Sequence, residues 1–249
     1  MSAPPHSAPQ SSAARSAPGA VMIVLLALVP FALRFVSTLW LPGNYAAQSL
    51  YKVAQLLIAG GWRRNVEGKR GLAIWWPVDE RRPDRTTILI AIGVALASGV
   101  TAAVTASWLA PRIGLDPAAI QERLSSRFSL TTSTMIPSVL LLSTVNAALE
   151  ELHYRVWLDR ALSACCGSTI GIGVSTALFS AIHLFIFFGI PNAGWIAMGG
   201  VFLGLVIGGT AWSLIARRPG GIHAAWLAHC LTDIVLLTWG LHWIGLLKF

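Results

Sequence analysis

A succession of long apolar stretches, separated by short polar segments, limits what this chain can fold into. A helix needs about 20 mostly apolar residues to cross the hydrocarbon core of a bilayer. Only 11% of the 249 residues are charged, whereas a soluble domain carries about 25%. The mean hydropathy is +0.67. The sequence therefore predicts an all-α fold, a polytopic bundle of about seven transmembrane helices with the lipid bilayer as its surroundings.

The predicted spans form one transmembrane domain over residues 21–249. They are 21–41, 46–62, 87–110, 132–162, 168–190, 193–215 and 222–247. The second is short and could instead be an interfacial helix. Pro191 and Asn192 indicate a turn between the fifth and sixth spans. Residues 1–20 are rich in Ser, Ala and Pro and predict a disordered tail.

Basic residues concentrate in two of the connecting segments. Residues 63–86 carry seven Arg or Lys against four Asp or Glu, and Arg217 and Arg218 occupy another short loop. Cytoplasmic loops are enriched in such residues, so both loops and the N-terminus are predicted to be cytoplasmic. The segment 111–131 would then be an outer loop. The net charge of +8 therefore favours contact with anionic lipid over nucleic-acid binding. We recognise no organelle-targeting signal and therefore expect a prokaryotic cytoplasmic membrane.

Three of the apolar stretches contain ionisable groups, which calls for an explanation. Each such group costs at least about 2.5 kcal/mol at the centre of a membrane helix. Pairs four residues apart share one helical face. We expect the groups to meet near mid-membrane, where a carboxylate can take a proton from water and neighbouring donors can stabilise an oxyanion. The groups are Glu150, Glu151, His153, Arg155, His183, His229 and Asp233.

Three ordered motifs on separate apolar stretches carry a family resemblance. They are E-E-x-x-x-R over residues 150–155, F-x-x-x-H from Phe179 to His183, and H-x-x-x-D from His229 to Asp233. In this respect the chain resembles the CAAX-protease and bacteriocin-processing family of intramembrane peptidases, also called the Abi family. The resemblance covers a core of about residues 132–240.

The resemblance implies an endopeptidase that cleaves a membrane-anchored or lipidated peptide. Glu150 would be the general base that activates water, and His183 would help to hold and polarise that water. His229 would donate to the oxyanion, and Asp233 would occupy the family's Asn or Asp position. Glu151 and Arg155 would form a supporting ion pair.

The sequence leaves the use of a metal open. Glu150, His183 and His229 could bind zinc and leave one coordination position free, as catalytic zinc sites do. However, the chain lacks the H-E-x-x-H pattern that places two ligands on one helical face. The resemblance implies a glutamate-and-water mechanism at least as strongly as a zinc one, and we favour a mechanism with no cofactor.

Two alternatives belong to other functional classes. A proton-coupled transporter could use Glu150, His183 and Asp233 as a relay, but it would distribute them across the membrane, often with internal repeats. A non-catalytic family member could act as a scaffold or immunity protein, although the intact set of motifs argues against this.

Overall fold

A computed structural model describes residues 19–41, 44–78, 80–128, 132–187 and 194–247, which contain no β-strand. The tail over residues 1–18 and the turn at Pro191 and Asn192 lie outside these ranges. The α-helical segments are α1 (Ala20–Trp40), α2 (Tyr45–Asn65), α3 (Arg85–Leu109), α4 (Pro117–Phe128), α5 (Thr132–Leu141), α6 (Ala147–Glu151), α7 (Arg160–Cys166), α8 (Ser168–His183), α9 (Trp195–Ala216) and α10 (Gly221–Trp243).

The helices have the length and composition of membrane spans. Five are long and apolar enough to cross a bilayer, and α8 is a shorter apolar helix. The five are Ala20–Trp40, Arg85–Leu109, Thr134–Cys166, Trp195–Ala216 and Gly221–Trp243. The protein is an integral membrane protein, and the predicted all-α bundle is confirmed. Helix α2, predicted as a span or an interfacial helix, is less apolar than these five.

One continuous helical rod, here called the composite helix, runs from residue 132 to residue 166. Two π-helical segments, Leu142–Asn146 and Leu152–Asp159, join α5, α6 and α7. Such segments are rare and are frequently found at functional sites. Trp226 donates its indole N–H to the carbonyl of Thr144, 3.0 Å away, within the first of them. Every residue from Glu150 to Asp159 is buried, so the composite helix forms the centre of the bundle.

Helices α2, α8 and α10 surround the composite helix, and α9 packs behind α8. Helices α3 and α10 lie against each other, where a Cβ at Gly99 would come within 3.0 Å of Val235. On α9, a Cβ at Gly209 would approach Arg155 and Thr176 to 3.0 Å. The contacts of α2, α8 and α10 with the composite helix place these three helices around its acidic segment.

Two predicted segments differ in detail from the structure. The predicted outer loop over residues 111–131 contains helix α4. Asp116 begins this helix by accepting a hydrogen bond from the backbone N–H of Ala118, at 2.9 Å, and Pro117 suits a first helical position. The predicted fifth span runs to residue 190, but α8 ends at His183, where a 3-10 turn over Leu184–Phe187 follows.

Candidate active site

The structure brings residues from all three motifs together around the carboxylate of Glu150. The Nε2 atom of His183 lies 3.8 Å from Oε1 of Glu150. The Nε2 atom of His229 lies 3.6 Å from Oε2 of Glu150 and 3.7 Å from Oδ2 of Asp233. These distances exceed those of direct hydrogen bonds, and at such separations a bridging water must be considered.

A lysine that the motifs do not include contacts the central carboxylate. The ammonium of Lys52, on α2, forms an ion pair with Oε1 of Glu150. Asn146, one helical turn before Glu150, donates to the same oxygen at 3.2 Å. The other oxygen, Oε2, has no hydrogen-bond partner among the described residues. One oxygen of Glu150 is therefore held, while the other faces His229.

The second glutamate connects two of the motifs. Oε1 of Glu151 lies 3.1 Å from Nη1 of Arg155, as the predicted ion pair requires. The same oxygen accepts a hydrogen bond from Nδ1 of His229 at 2.8 Å. A carboxylate can only accept, so this contact places a proton on Nδ1. Glu151 therefore fixes the ring of His229 with Nε2 towards Glu150.

The backbone of its own helix fixes the ring of His183. Its Nδ1 atom donates to the carbonyl of Phe179, one turn earlier, at 2.7 Å. The four-residue spacing of the F-x-x-x-H motif places the imidazole within reach of this carbonyl. Because Nδ1 is the donor in this hydrogen bond, Nε2 is left to face Glu150. The ring centroids of Phe179 and His183 are 4.6 Å apart.

Aromatic side chains enclose His229 and the guanidinium of Arg155. The imidazole stacks on Trp212 with centroids 4.1 Å apart and planes inclined by 17°. Phe179 meets the imidazole edge-on at 5.7 Å, and the guanidinium lies 4.5 Å above the Phe179 ring. Such contacts favour a cation over a ring face. This packing restricts the orientation of His229.

The site has a buried interior and a more open side. The side chains of Glu150 and His229 are each 3% exposed, and that of Lys52 is 15% exposed. By contrast, the side chain of His183 is 32% exposed and that of Asp233 is 24% exposed. Access to Glu150 therefore lies on the side of His183 and Asp233.

The donors offered for zinc do not form a metal site in this geometry. Over the described ranges, no group of three or more His, Cys, Asp or Glu side chains is arranged to hold a metal ion. In addition, the ammonium of Lys52 contacts Glu150, so a cation bound there would meet a like charge at short range. The metal-free mechanism stays a prediction.

Reasoning from the sequence missed Lys52 and Asn146. Asn146 precedes Glu150 by four residues, so its place on the same helical face could have been recognised. Lys52 is separated from Glu150 by 98 positions and lies on the least apolar of the predicted spans. No local pattern connects it to the motifs.

Comparison with known families agrees with the motifs. Residues 132–235 match the family model described as "Rce1-like: Type II CAAX prenyl endopeptidase Rce1-like". The matched segment contains all three motifs and the composite helix. The match confirms the resemblance. No curated protein and no solved structure matches the chain.

Proposed function

We propose that this chain, whose residues 132–235 match the Rce1-like prenyl endopeptidases, is an intramembrane endopeptidase that uses water activated by Glu150. The match supports an intramembrane endopeptidase in general, and the catalytic type is our proposal. The observation that carries it is the carboxylate of Glu150, which Lys52 and Asn146 hold at Oε1 while Oε2 faces Nε2 of His229 at 3.6 Å.

In the first step, Glu150 takes a proton from a water molecule that His183 also contacts. The oxygen of that water attacks the carbonyl carbon of the scissile peptide bond, and the carbonyl oxygen becomes an oxyanion. General-base catalysis of this kind contributes about 10²- to 10⁴-fold. Lys52 and Asn146 restrain the base in a single orientation for this transfer.

His229 is the proposed oxyanion donor. Its Nδ1 proton is already committed to Glu151 at 2.8 Å, so the donor must be a second proton on Nε2. The catalytically active ring is therefore the imidazolium form. When the intermediate collapses, the C–N bond breaks and the proton held by Glu150 passes to the leaving amine. The products are a new amine and a new carboxylic acid, which loses its proton to become a carboxylate.

We assign Asp233 to His229 and not to the oxyanion. An ionised carboxylate would repel the developing negative charge, whereas Oδ2 of Asp233 lies 3.7 Å from Nε2 of His229. In that position it stabilises the protonated ring. Asp233 and His183 line the open side, where the substrate would approach.

The proposed substrate is a membrane-anchored or lipidated peptide. The catalytic groups lie on helices that span the bilayer, so a substrate must reach them from the lipid or from its surface. The description of the matching family names prenylated substrates, which makes a prenylated C-terminal peptide the first one to test.

The test uses the full chain reconstituted in liposomes. A peptide with a prenylated cysteine near its C-terminus and its unprenylated twin are supplied, and mass spectrometry identifies the products. We expect cleavage of the prenylated peptide, with Glu150→Ala and His183→Ala reducing the rate by about 10²-fold or more. His242→Ala, near the far end of α10, is the control and should keep the wild-type rate.

Failure of the wild type to cut any membrane-anchored peptide would contradict the proposal and favour a scaffold or immunity protein. Unchanged rates in both variants would contradict the roles of Glu150 and His183. A chelator in the same assay tests the catalytic type. Retained activity is expected. A loss of activity that added zinc restores would contradict the metal-free mechanism.

The transporter alternative predicted ionisable groups dispersed across the membrane. The clustering of these groups around Glu150 does not favour it.

A further inference from the structure

A basic cavity lies on the predicted cytoplasmic side, away from the candidate active site. It is formed where α9 ends, α10 begins and the loop before α3 passes. Its volume is ≈ 570 Å³, and four arginines and one glutamate line it: Arg81, Arg160, Arg217, Arg218 and Glu80. The lining therefore carries a surplus of positive charge.

Two of these arginines are fixed in the wall of the cavity. Arg160 forms an ion pair with Glu80 at 2.7 Å. Arg217 donates to the carboxylate of Asp159 at 2.5 Å. It also reaches the hydroxyl groups of two serines, Ser163 at 2.7 Å and Ser168 at 2.6 Å. These contacts join α7, α8 and α9, so the cavity has a built framework.

The other two arginines, Arg81 and Arg218, are exposed. Arg218 interacts electrostatically with Asp84, which caps α3 by accepting a hydrogen bond from the backbone N–H of Thr87 at 2.7 Å. That hydrogen bond, and to a smaller extent the charge of Arg218, hold the pKa of Asp84 below its ordinary value. Arg81 and Arg218 therefore supply the positive charge that remains available to a ligand.

A glycine fixes the two arginine-bearing segments against each other. Gly220 has φ +66°, and a Cβ there would lie 2.3 Å from the carbonyl oxygen of Arg81. The loop containing Arg81 thus packs directly on the turn that follows Arg218. Gly220 also precedes the first turn of α10, where the helix dipole favours an anion.

We propose that this cavity binds the phosphate group of an anionic phospholipid headgroup. Guanidinium groups match the geometry of phosphate oxygens with paired hydrogen bonds. The cavity lies at the ends of membrane-spanning helices, where headgroup phosphates are found, and basic pockets between such helices bind anionic lipids. A zwitterionic headgroup brings a cation towards the arginines and fits less well.

The test titrates detergent-solubilised full chain with phosphatidylglycerol or phosphatidylcholine and counts bound lipid by native mass spectrometry. We expect selective binding of phosphatidylglycerol. The variant Arg81→Gln/Arg218→Gln should weaken it at least about tenfold, because a lost charge-assisted hydrogen bond corresponds to roughly that factor. The control Arg64→Gln/Arg70→Gln removes the same charge from exposed positions outside the cavity and should leave the affinity unchanged.

If both double variants lost affinity for phosphatidylglycerol equally, general attraction by a basic surface would explain the binding. That result would overturn the proposal. Pro219→Glu, which adds a carboxylate at an exposed lining position, should also weaken binding if the arginine variant does not fold. Excess inorganic phosphate should not displace the lipid. Full displacement of the bound phosphatidylglycerol by inorganic phosphate would indicate a site for free phosphate and would contradict a lipid site.

Discussion

At the scale of single residues, the contact between Lys52 and Glu150 determines the electrostatics of the site. Both side chains are removed from water, with exposed fractions of 15% and 3%. A buried ion pair adds little net stability, but removal of one partner leaves an uncompensated charge. Lys52 therefore has two effects, since it fixes Glu150 and lets it remain a carboxylate inside the membrane.

We predict that Lys52→Met destabilises the protein by about 3–5 kcal/mol, the usual cost of breaking a buried pair. Thermal unfolding in detergent measures the effect. Arg64→Met, at an exposed position on the same helix, is the control and should change the unfolding temperature little. The double variant Lys52→Met/Glu150→Gln should recover most of the loss. A double variant as unstable as Lys52→Met alone would contradict this pairing.

A second prediction concerns Glu151, which we regard as a positioning residue. Glu151→Gln keeps the size of the side chain but removes the charge that meets Nδ1 of His229 at 2.8 Å. By comparison with the orienting carboxylate of serine proteases, kcat should fall by about 10⁴-fold, with KM little changed. Glu67→Gln, which alters a partly exposed partner of Arg63, is the control. A loss confined to KM would contradict the positioning role.

Much of this site could be predicted from the sequence because the residues within each motif contact one another across a single helical turn. Phe179 and His183 form their hydrogen bond within one turn, and Glu151 and Arg155 form their ion pair across the same spacing. The contact of Lys52 with Glu150 depends instead on the packing of α2 against the composite helix. Its position cannot be read from spacing along the chain.

At the scale of helices, the junction of α7 and α8 depends on a close approach. Gly171 is buried, and a Cβ there would lie 2.1 Å from Oγ of Ser163 and 2.7 Å from the carbonyl oxygen of Asp159. The junction therefore excludes any larger residue at this position. It supports the wall that Arg217 forms with Asp159 and the two serines.

Gly171→Ala is predicted to destabilise the protein by about 1–3 kcal/mol through overpacking. Gly173, two residues further along the same helix, is the matched control, because a Cβ there meets nothing within 4 Å in the described part of the chain. Gly173→Ala should be neutral or should stabilise the helix by up to about 1 kcal/mol. Unfolding temperatures that fall equally in both variants would contradict this account of the junction.

Helix α4 and the π-helical segments show where prediction of the elements was incomplete. The N-terminus of α4 contains a start signal in Asp116 and Pro117, but the charges that follow favoured a loop. The π-helical segments have no comparable pattern in the sequence. They depend on contacts with other helices, such as the hydrogen bond from Trp226 to the carbonyl of Thr144.

At the scale of the whole molecule, the basic residues predict which side of the membrane each loop occupies. Eight of the 15 arginines lie between the end of α2 and the start of α3 or in the turn between α9 and α10. The junction between α7 and α8, which contains Cys165 and Cys166, should lie on the same side. The positive-inside rule makes that side cytoplasmic.

Native cysteines test this topology. Cys165 is exposed, whereas Cys230 is buried. A membrane-impermeant maleimide should therefore label inside-out vesicles and not right-side-out ones. In a chain with Cys165→Ser and Cys166→Ser, a cysteine introduced by Trp195→Cys, at a position 86% exposed, should show the opposite pattern. Labelling of Cys165 from outside would contradict the predicted orientation.

The most direct measurement of the central claim is the cleavage rate of a prenylated peptide by the wild type and by Glu150→Gln in the same liposomes. The substitution keeps the shape of the side chain and removes its ability to accept a proton from water. We predict that the rate falls by about 10²-fold or more while the unfolding temperature shows that the bundle remains folded. A folded Glu150→Gln variant that cleaves at the wild-type rate would contradict the account.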